Sequence, residues 1–279
     1  MCAGLLASCG GGNEVVHGNP EVATPLRIEV RKHDGAYKWF LNDRLQPTND
    51  EAVHEALEAY SEVVDERAGL EGREPDGVSE NPIIFAAPPE APAKPLMHVI
   101  EHVVGVMAYR LRAELQRPGN QPLSVLVELP RDEGLSFTQN SLKLAIVQKG
   151  EGVRFMASPA YGDNRAVEHV SFRLSEAAQG GWNDAAYSSV VAKLRDALLR
   201  AERQAGESAR NVCIPYGSAQ DDIQWVTLFV ALAAIRDASE SKSRTGPPLV
   251  AWPGEPVPEP EEVEFPLPKW PKPEGNEGD

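Results

Sequence analysis

Apolar and polar positions alternate with two different periods along this chain. Residues 26–31 alternate strictly, which is the pattern of a strand buried on one face. Asp34 and Gly35 follow, and this pair is a strong signal for a tight hairpin turn. Residues 37–41 then supply the returning strand. The segment therefore predicts a β-hairpin.

A helix and a buried strand are predicted after the hairpin. Thr48 and Glu51 have the spacing of a capping box, and apolar residues after them recur on one helical stripe. Residues 83–86 form a short, wholly apolar run, which is typical of a buried strand. A longer helix is predicted over residues 95–116, and a fourth strand over residues 123–129.

The same order of elements recurs in the rest of the chain. Residues 142–147 have the same pattern of apolar and polar residues as the first strand, 116 positions later, and residues 153–157 form the return strand. The later elements are predicted as a strand at 169–174, a helix at 183–198, a strand at 211–215, a helix at 223–235 and a strand at 248–252. We therefore predict an α+β fold of two tandem two-layer α/β repeats, each β-β-α-β-α-β, over residues 25–130 and 141–252.

The N-terminal segment, residues 1–24, is predicted to lie outside the repeats. Its Leu6-Ala7-Ser8-Cys9 stretch resembles a bacterial lipobox, in which the cysteine becomes lipidated. Three glycines follow and suit a flexible tether. The resemblance implies a lipid anchor at Cys9. Because no aspartate follows Cys9, it also implies that the anchor lies in the outer membrane. The alternative is an unprocessed terminus, because only eight residues precede Cys9.

The C-terminal segment, residues 253–279, is predicted to be a disordered, acidic, proline-rich tail. Residues 247–279 contain 10 of the 24 prolines, together with 8 acidic and 2 basic residues. Proline at this density blocks helix and sheet, and like charges extend the chain. The tail either stays solvated or docks its aromatic residues on a partner.

Composition narrows the class of partner. The chain has 27 basic and 42 acidic residues, a net charge of −15, which argues against nucleic-acid binding. No run approaches 18 apolar residues, so no transmembrane helix is predicted. Three cysteines do not form a disulfide scaffold. The remaining composition is that of an ordinary globular protein.

One motif has the spacing of a metal site. His98, Glu101 and His102 fit H-x-x-E-H, which places both imidazoles on one helical face with a carboxylate beside them. A catalytic zinc needs a third protein ligand, and Glu168 is the loose candidate. The corresponding helix of the second repeat has no histidine pair, so the fold does not require one. A solvated helix face is the favoured interpretation, and zinc-dependent hydrolysis is the alternative.

The other candidate residues favour structural roles. Cys213 lies in a predicted buried strand without a second cysteine or a base nearby, so we interpret it as a small apolar filler. The chain has no G-x-S-x-G, G-x-G-x-x-G or P-loop motif, and no cofactor is predicted.

The element order resembles a known family. A hairpin, a helix, a strand led by Asn-Pro-Ile-Ile, a proline-rich loop, a long helix and a strand are similar to the periplasmic domain of the ExbD/TolR family. Residues 83–88 and 213–217 occupy the place of the family's short strand and following loop. The resemblance implies a dimeric envelope domain that contacts peptidoglycan or partner proteins. The family's membrane helix with its aspartate has no counterpart here, so proton coupling is not implied.

Together these patterns predict a non-enzymatic lipoprotein on the periplasmic side of the bacterial envelope. It would act as a binding or scaffold module for an envelope protein or for peptidoglycan. The short linker after residue 130 would hold the two repeats as an intrachain pseudo-dimer. Their sheets would pair along an edge or pack face to face. A structural component of a larger assembly is a further alternative.

Overall fold

The computed structural model describes residues 27–41, 43–45, 83–93, 96, 110–117, 119–129, 141–159, 168–175, 184–204, 211–214, 223–240 and 248–251. The first half contributes six strands: β1 (Arg27–His33), β2 (Ala36–Leu41), β3 (Arg44–Leu45), β4 (Ile83–Ala87), β5 (Arg110–Leu115) and β6 (Leu123–Glu128). The second half contributes β7 (Ser141–Lys149), β8 (Gly152–Pro159), β9 (Glu168–Arg173), helix α1 (Asp184–Gln204), β10 (Asn211–Cys213), helix α2 (Trp225–Glu240) and β11 (Leu249–Ala251). The chain is α+β, as predicted.

The eleven strands form one mixed ladder in the order β3-β2-β1-β4-β5-β6-β11-β10-β7-β8-β9. Strands β1, β4 and β5 run parallel to one another, and so do β7, β10 and β11. Strand β6 is antiparallel to β5 and parallel to β11. The two parallel trios therefore run in opposite directions along the sheet.

The two halves of the ladder meet at a narrow junction. Leu249 of β11 lies opposite Glu128 of β6, and the Glu128 amide donates to the Pro248 carbonyl at 2.9 Å. One residue pair of backbone contact is little compared with the long ladders on either side. Other contacts must therefore hold the halves together.

Hairpin turns form where glycine or aspartate can take a positive φ. Asp34 and Gly35 have φ values of 52° and 81°, so the predicted turn between β1 and β2 is confirmed. Gly119, with a φ of 72°, turns the chain between β5 and β6. The predicted strands and helices of the second half are likewise observed as β7 to β11, α1 and α2.

The helix predicted over residues 95–116 is wrong at its C-terminal end, because Arg110–Leu115 is strand β5. Leu111, Ala113 and Leu115 are buried and alternate with charged residues, so this segment follows the strand period. It pairs with β4 on one side and β6 on the other. Residues 97–109 lie outside the described ranges, as do the helix predicted after Thr48, residues 1–24 and the tail 253–279.

Helix α1 buries one stripe, whereas α2 is buried on every side over its first three turns. Every residue from Trp225 to Ile235 is buried. Helix α2 contacts β5 and β6, α1 contacts β8 and β9, and the two helices pack against each other. The helix pair therefore bridges strands from opposite halves of the sheet. None of the helices in the described ranges is long and apolar enough to cross a membrane.

The N-terminus of α2 is bonded to distant parts of the chain. The amides of Trp225 and Val226 donate to the carbonyls of Ala91 (2.7 Å) and Pro89 (3.0 Å). The side-chain oxygen of Gln148, at the end of β7, accepts from the Gln224 amide at 3.0 Å and from the Thr227 hydroxyl at 2.8 Å. These bonds satisfy donors that a helix end would otherwise leave unpaired.

Trp225 also joins the two halves through its side chain. Its indole N–H donates to the Glu114 carbonyl of β5 at 3.0 Å. Its ring packs on Phe85 of β4, with centroids 4.9 Å apart, and on Phe229 of α2, at 6.0 Å. This aromatic cluster lies in the core between the two halves and compensates for the narrow strand junction.

Candidate functional site

The face of the sheet that points away from the apolar core carries charged residues in both halves, and we call it the outer face. In β1, Ile28 and Val30 are fully buried in the core, so Arg27, Glu29 and Arg31 project from the outer face. Glu29 is nevertheless only 7% exposed. A charged side chain buried to this extent needs partners.

Glu29 has partners on two strands. Arg31 and the Gln116 side-chain amide donate short hydrogen bonds to its two oxygens. The Arg27 Nε lies 3.6 Å from Glu29, and Arg27 also donates to Glu114 of β5 at 2.7 Å. We call these five residues the Glu29 network.

The network spans β4 because of a small residue. Ala86 lies opposite Glu29 in the β1–β4 register and opposite Glu114 in the β4–β5 register. Its methyl group lets the side chains of β1 and β5 meet above it. The network therefore fastens three parallel strands together on the outer face.

Electrostatics keep Glu29 ionised. Burial alone raises the pKa of its carboxyl, but the hydrogen bonds from Arg31 and Gln116 and the two guanidinium charges lower the pKa below its ordinary 4.5. The pKa of Arg31 is raised in turn by its bonds to Glu29 and Asp43. A carboxylate so stabilised is a poor general base at neutral pH, and its bonds give it a structural role.

The outer face of the second half carries a different set of residues. Lys143 of β7 lies opposite Ser158 of β8 and opposite Cys213 of β10. Lys143 and Ser158 are 6% and 8% exposed, and Cys213 is half-buried. We call these three residues the Lys143 row.

Burial shifts both titratable groups of this row towards their neutral forms. The pKa of Lys143 is lowered from 10.5, chiefly by burial. Burial raises the pKa of the Cys213 thiol to about 11, although the nearby Lys143 charge opposes the change. The thiol is therefore protonated at neutral pH and is a weak nucleophile.

The structure describes two of the residues that the sequence singled out. Cys213 lies in β10, beside Lys143. Glu168 lies in β9 and accepts hydrogen bonds from Arg200 at 3.1 Å and Gln204 at 3.2 Å, which fasten α1 to the sheet. Cys9, His98, Glu101 and His102 lie outside the described residues. Over the ranges that the structure describes, no three acidic, histidine or cysteine side chains are grouped as metal ligands.

Sequence reasoning missed both Glu29 and Lys143. Each stands at a polar position of an alternating strand, where a solvated side chain is expected. The predicted repeat offered one signal: at its spacing of 116 positions Arg27 matches Lys143, whereas Glu29 matches Ala145.

Known proteins show only weak similarity to this chain. No protein-family model matches the chain, and no curated protein matches it. Among solved structures, it is similar to an exopolyphosphatase-like protein at 11% identity, covering 81% of this chain and 94% of that one, with a TM-score of 0.25. An exopolyphosphatase from Cytophaga hutchinsonii is similar at 8% identity, covering 69% and 66% of the two chains, with a TM-score of 0.18. These TM-scores are too low to support an argument about function.

Proposed function

We propose that the chain is a non-enzymatic binding or scaffold module of the bacterial cell envelope, built from two copies of one domain. The arrangement of strands supports this proposal. Read inwards from each edge, the ladder repeats one order: hairpin partner, first strand, then two strands parallel to it. The series are β2-β1-β4-β5 and β8-β7-β10-β11, which lie inside the edge strands β3 and β9, and their directions are opposite. A two-fold axis between two domains paired edge to edge would relate strands in this way.

The duplication accounts for the resemblance to a family whose members dimerise. A dimer assembled from separate chains becomes a single chain when the second copy follows the first through a short linker. In this proposal β6 is an added strand that joins the copies. A protein partner or a peptidoglycan strand would then bind a platform that is already assembled.

Recognition fits the described polar groups better than catalysis does. Glu29 and Glu168 each bond to side chains of their own half. The first amides of α2 are bonded to Pro89, Ala91 and Gln148, so they are not available to bind a phosphate or other anion. These groups rigidify the sheet, and a rigid surface lowers the entropic cost of binding a partner.

The envelope location rests on the lipobox resemblance at Cys9. Expression of the chain in a bacterial host with labelled palmitate should give a labelled, membrane-associated protein. The Cys9→Ala variant should be unlabelled and released from the membrane fraction. Equal labelling of both forms would remove the anchor from the proposal.

Binding is tested with the purified full chain in two parallel assays. In one, the protein is sedimented with purified sacculi; in the other, immobilised protein is incubated with detergent-solubilised envelope extract. Retention by sacculi, or specific capture of one envelope protein, is expected. If neither assay exceeds the level of an unrelated acidic protein, the binding function is wrong.

A further inference from the structure

Lys143 is a buried cation without a described counter-charge. It is 6% exposed, and within the described ranges neither an acidic side chain nor a hydrogen-bond acceptor contacts its ammonium. Burying an ammonium unpaired is unfavourable, so such a group either loses its proton or acquires a partner. An anionic ligand would provide that partner.

The neighbours of Lys143 offer donors. Ser158 on one side can donate through its hydroxyl, and Cys213 on the other side carries a protonated thiol. An ammonium flanked by two further donors favours a ligand that accepts several hydrogen bonds. Anionic oxygens meet that requirement.

The first half indicates which anion fits. Arg27 stands 116 positions before Lys143, on the corresponding strand and face. It lies 3.6 Å from the Glu29 carboxylate and 2.7 Å from the Glu114 carboxylate. In β7 the residue two positions after the cation is Ala145, so the cation is retained without a carboxylate from its own strand.

Exposure on the outer face of β7 increases from Lys143 towards Val147. On the outer face of β7, Lys143 is buried, Ala145 is half-buried, and Val147 is 40% exposed. The small side chain of Ala145 lies where the first half has the larger Glu29.

We propose that the Lys143 row binds a carboxylate, in the position that Glu29 and Glu114 occupy relative to Arg27. The carboxylate has two possible sources. One is a small carboxylic acid from solution. The other is the acidic segment 253–279, which begins two residues after Ala251, the register partner of Cys213.

The binding test uses the full-length protein, acetate and succinate as probes, and sodium chloride at equal ionic strength as the reference. Saturable binding by calorimetry and a rise in Tm of about 2–4 °C are expected with either acid. Affinity should decrease up to tenfold per pH unit once the pH exceeds the pKa of Lys143, because binding requires the ammonium. An equal response to chloride would overturn carboxylate recognition.

Matched variants assign the binding to this row. Lys143→Met keeps the aliphatic stem and removes the charge, so it should abolish the response. Lys149→Met, at the exposed end of the same strand, should respond as wild type does. If Lys143→Met still binds acetate with wild-type affinity, the assignment to Lys143 is wrong.

A second pair of variants does not depend on removing the lysine. Ala145→Glu supplies a carboxylate at the position that corresponds to Glu29, so it should compete with added acetate and weaken its binding at least tenfold. Ala145→Gln has nearly the same size without the charge and should retain more affinity. Equal affinities in the two variants would contradict the proposal.

The source of the carboxylate is decided with a full-length variant whose eight acidic residues after 252 are changed to Gln or Asn. If the tail supplies the ligand, this variant binds acetate more tightly than wild type does. If the ligand is free, the two proteins bind equally. If neither protein binds acetate or succinate, the site does not exist.

Discussion

A basic residue lies at the same position of the outer face in each half of the sheet, but its surroundings differ between the two halves. Arg27 is half-buried and contacts two carboxylates, whereas Lys143 is more deeply buried and has no described counter-charge. The two pKa values are lowered for different reasons. Burial raises the pKa of Glu29, but hydrogen bonds from Arg31 and Gln116 and the nearby guanidinium charges lower it below its usual value, whereas the pKa of Lys143 falls because the group is desolvated. Two strands with similar sequence patterns can thus have different electrostatic properties.

The same difference gives the charged residues of the first half a structural role and leaves the proposed binding role to the second half. In the first half the charges satisfy one another, so the outer face ties β1 to β5 across β4. In the second half, none of the described residues places a carboxylate beside Lys143. Similar residues on two similar strands can therefore have different roles when a single neighbour changes.

The largest effect is expected from breaking the Glu29 network. Glu29→Ala should lower the free energy of unfolding by about 3 kcal/mol, because two guanidinium groups and an amide lose their buried acceptor. Urea denaturation at pH 7 measures this loss. Asp43→Asn is the control, since Asp43 bonds the same Arg31 at an exposed site and asparagine tolerates its φ of 70°, so the change should cost less than about 0.5 kcal/mol.

The pH dependence of the same pair gives a second readout. The pKa of Glu29 is lower in the folded chain than its ordinary 4.5, so its stabilising contribution is complete above that pH and is lost as the pH falls through the lowered value. The stability gap between wild type and Glu29→Ala should therefore narrow in acid. A gap that is constant down to the acid transition would refute this origin.

A smaller loss of stability is expected from a substitution at the place where the two halves are joined. Gln148→Ala removes the acceptor for the Gln224 amide and the Thr227 hydroxyl at the start of α2. We expect a loss of about 1–2 kcal/mol in the free energy of unfolding, because these donors lose their partner. Gln204→Ala is the control, since its side chain bonds Glu168 at an exposed site. Equal losses in both variants would show that Gln148 does not join the halves.

Replacing Lys143, which has no counter-charge among the described residues, should instead increase stability. Lys143→Met should raise the free energy of unfolding by about 1 kcal/mol at pH 7 without a carboxylate ligand, because an aliphatic side chain is buried at lower cost. The pKa of Lys143 is lowered from 10.5 on folding, so wild type gains stability relative to the variant as the pH rises from that lowered pKa to 10.5. Denaturation at pH 7 and pH 10 measures the change. The comparison is made in the background whose eight acidic residues after 252 are neutralised, so that the tail cannot supply a carboxylate. In that background, a protein with Lys143 that is more stable than its Met variant at pH 7 would contradict the prediction.

The smallest change in stability is expected at the histidine pair of the H-x-x-E-H motif, which has no counterpart in the second half. His102→Ala should leave stability and binding unchanged, and metal analysis of the purified protein should find no stoichiometric zinc. Zinc bound in a one-to-one ratio and lost in His102→Ala would instead support the hydrolase alternative.

Local patterns predicted the elements whose signals are short in range. The Asp34-Gly35 turn and the strands of the second half follow from residue spacing, and they are observed. Helices α1 and α2 begin within two residues of their predicted starts at 183 and 223, but they extend to Gln204 and Glu240, beyond the predicted ends at 198 and 235. Strand β5 was missed because the apolar stripe before Arg110 suggested that a helix would continue.

The sequence by itself determined the mixed α+β class, the hairpins and the two apolar helices, because these depend on the periods of neighbouring residues. Only the tertiary structure decided that Arg110–Leu115 is a strand, because its pairing partners β4 and β6 come from other parts of the chain. It also decided that Glu29 is paired, whereas Lys143 has no counter-charge among the described residues. Burial and counter-charges arise from strands brought side by side, and no local spacing encodes which charged residues will meet.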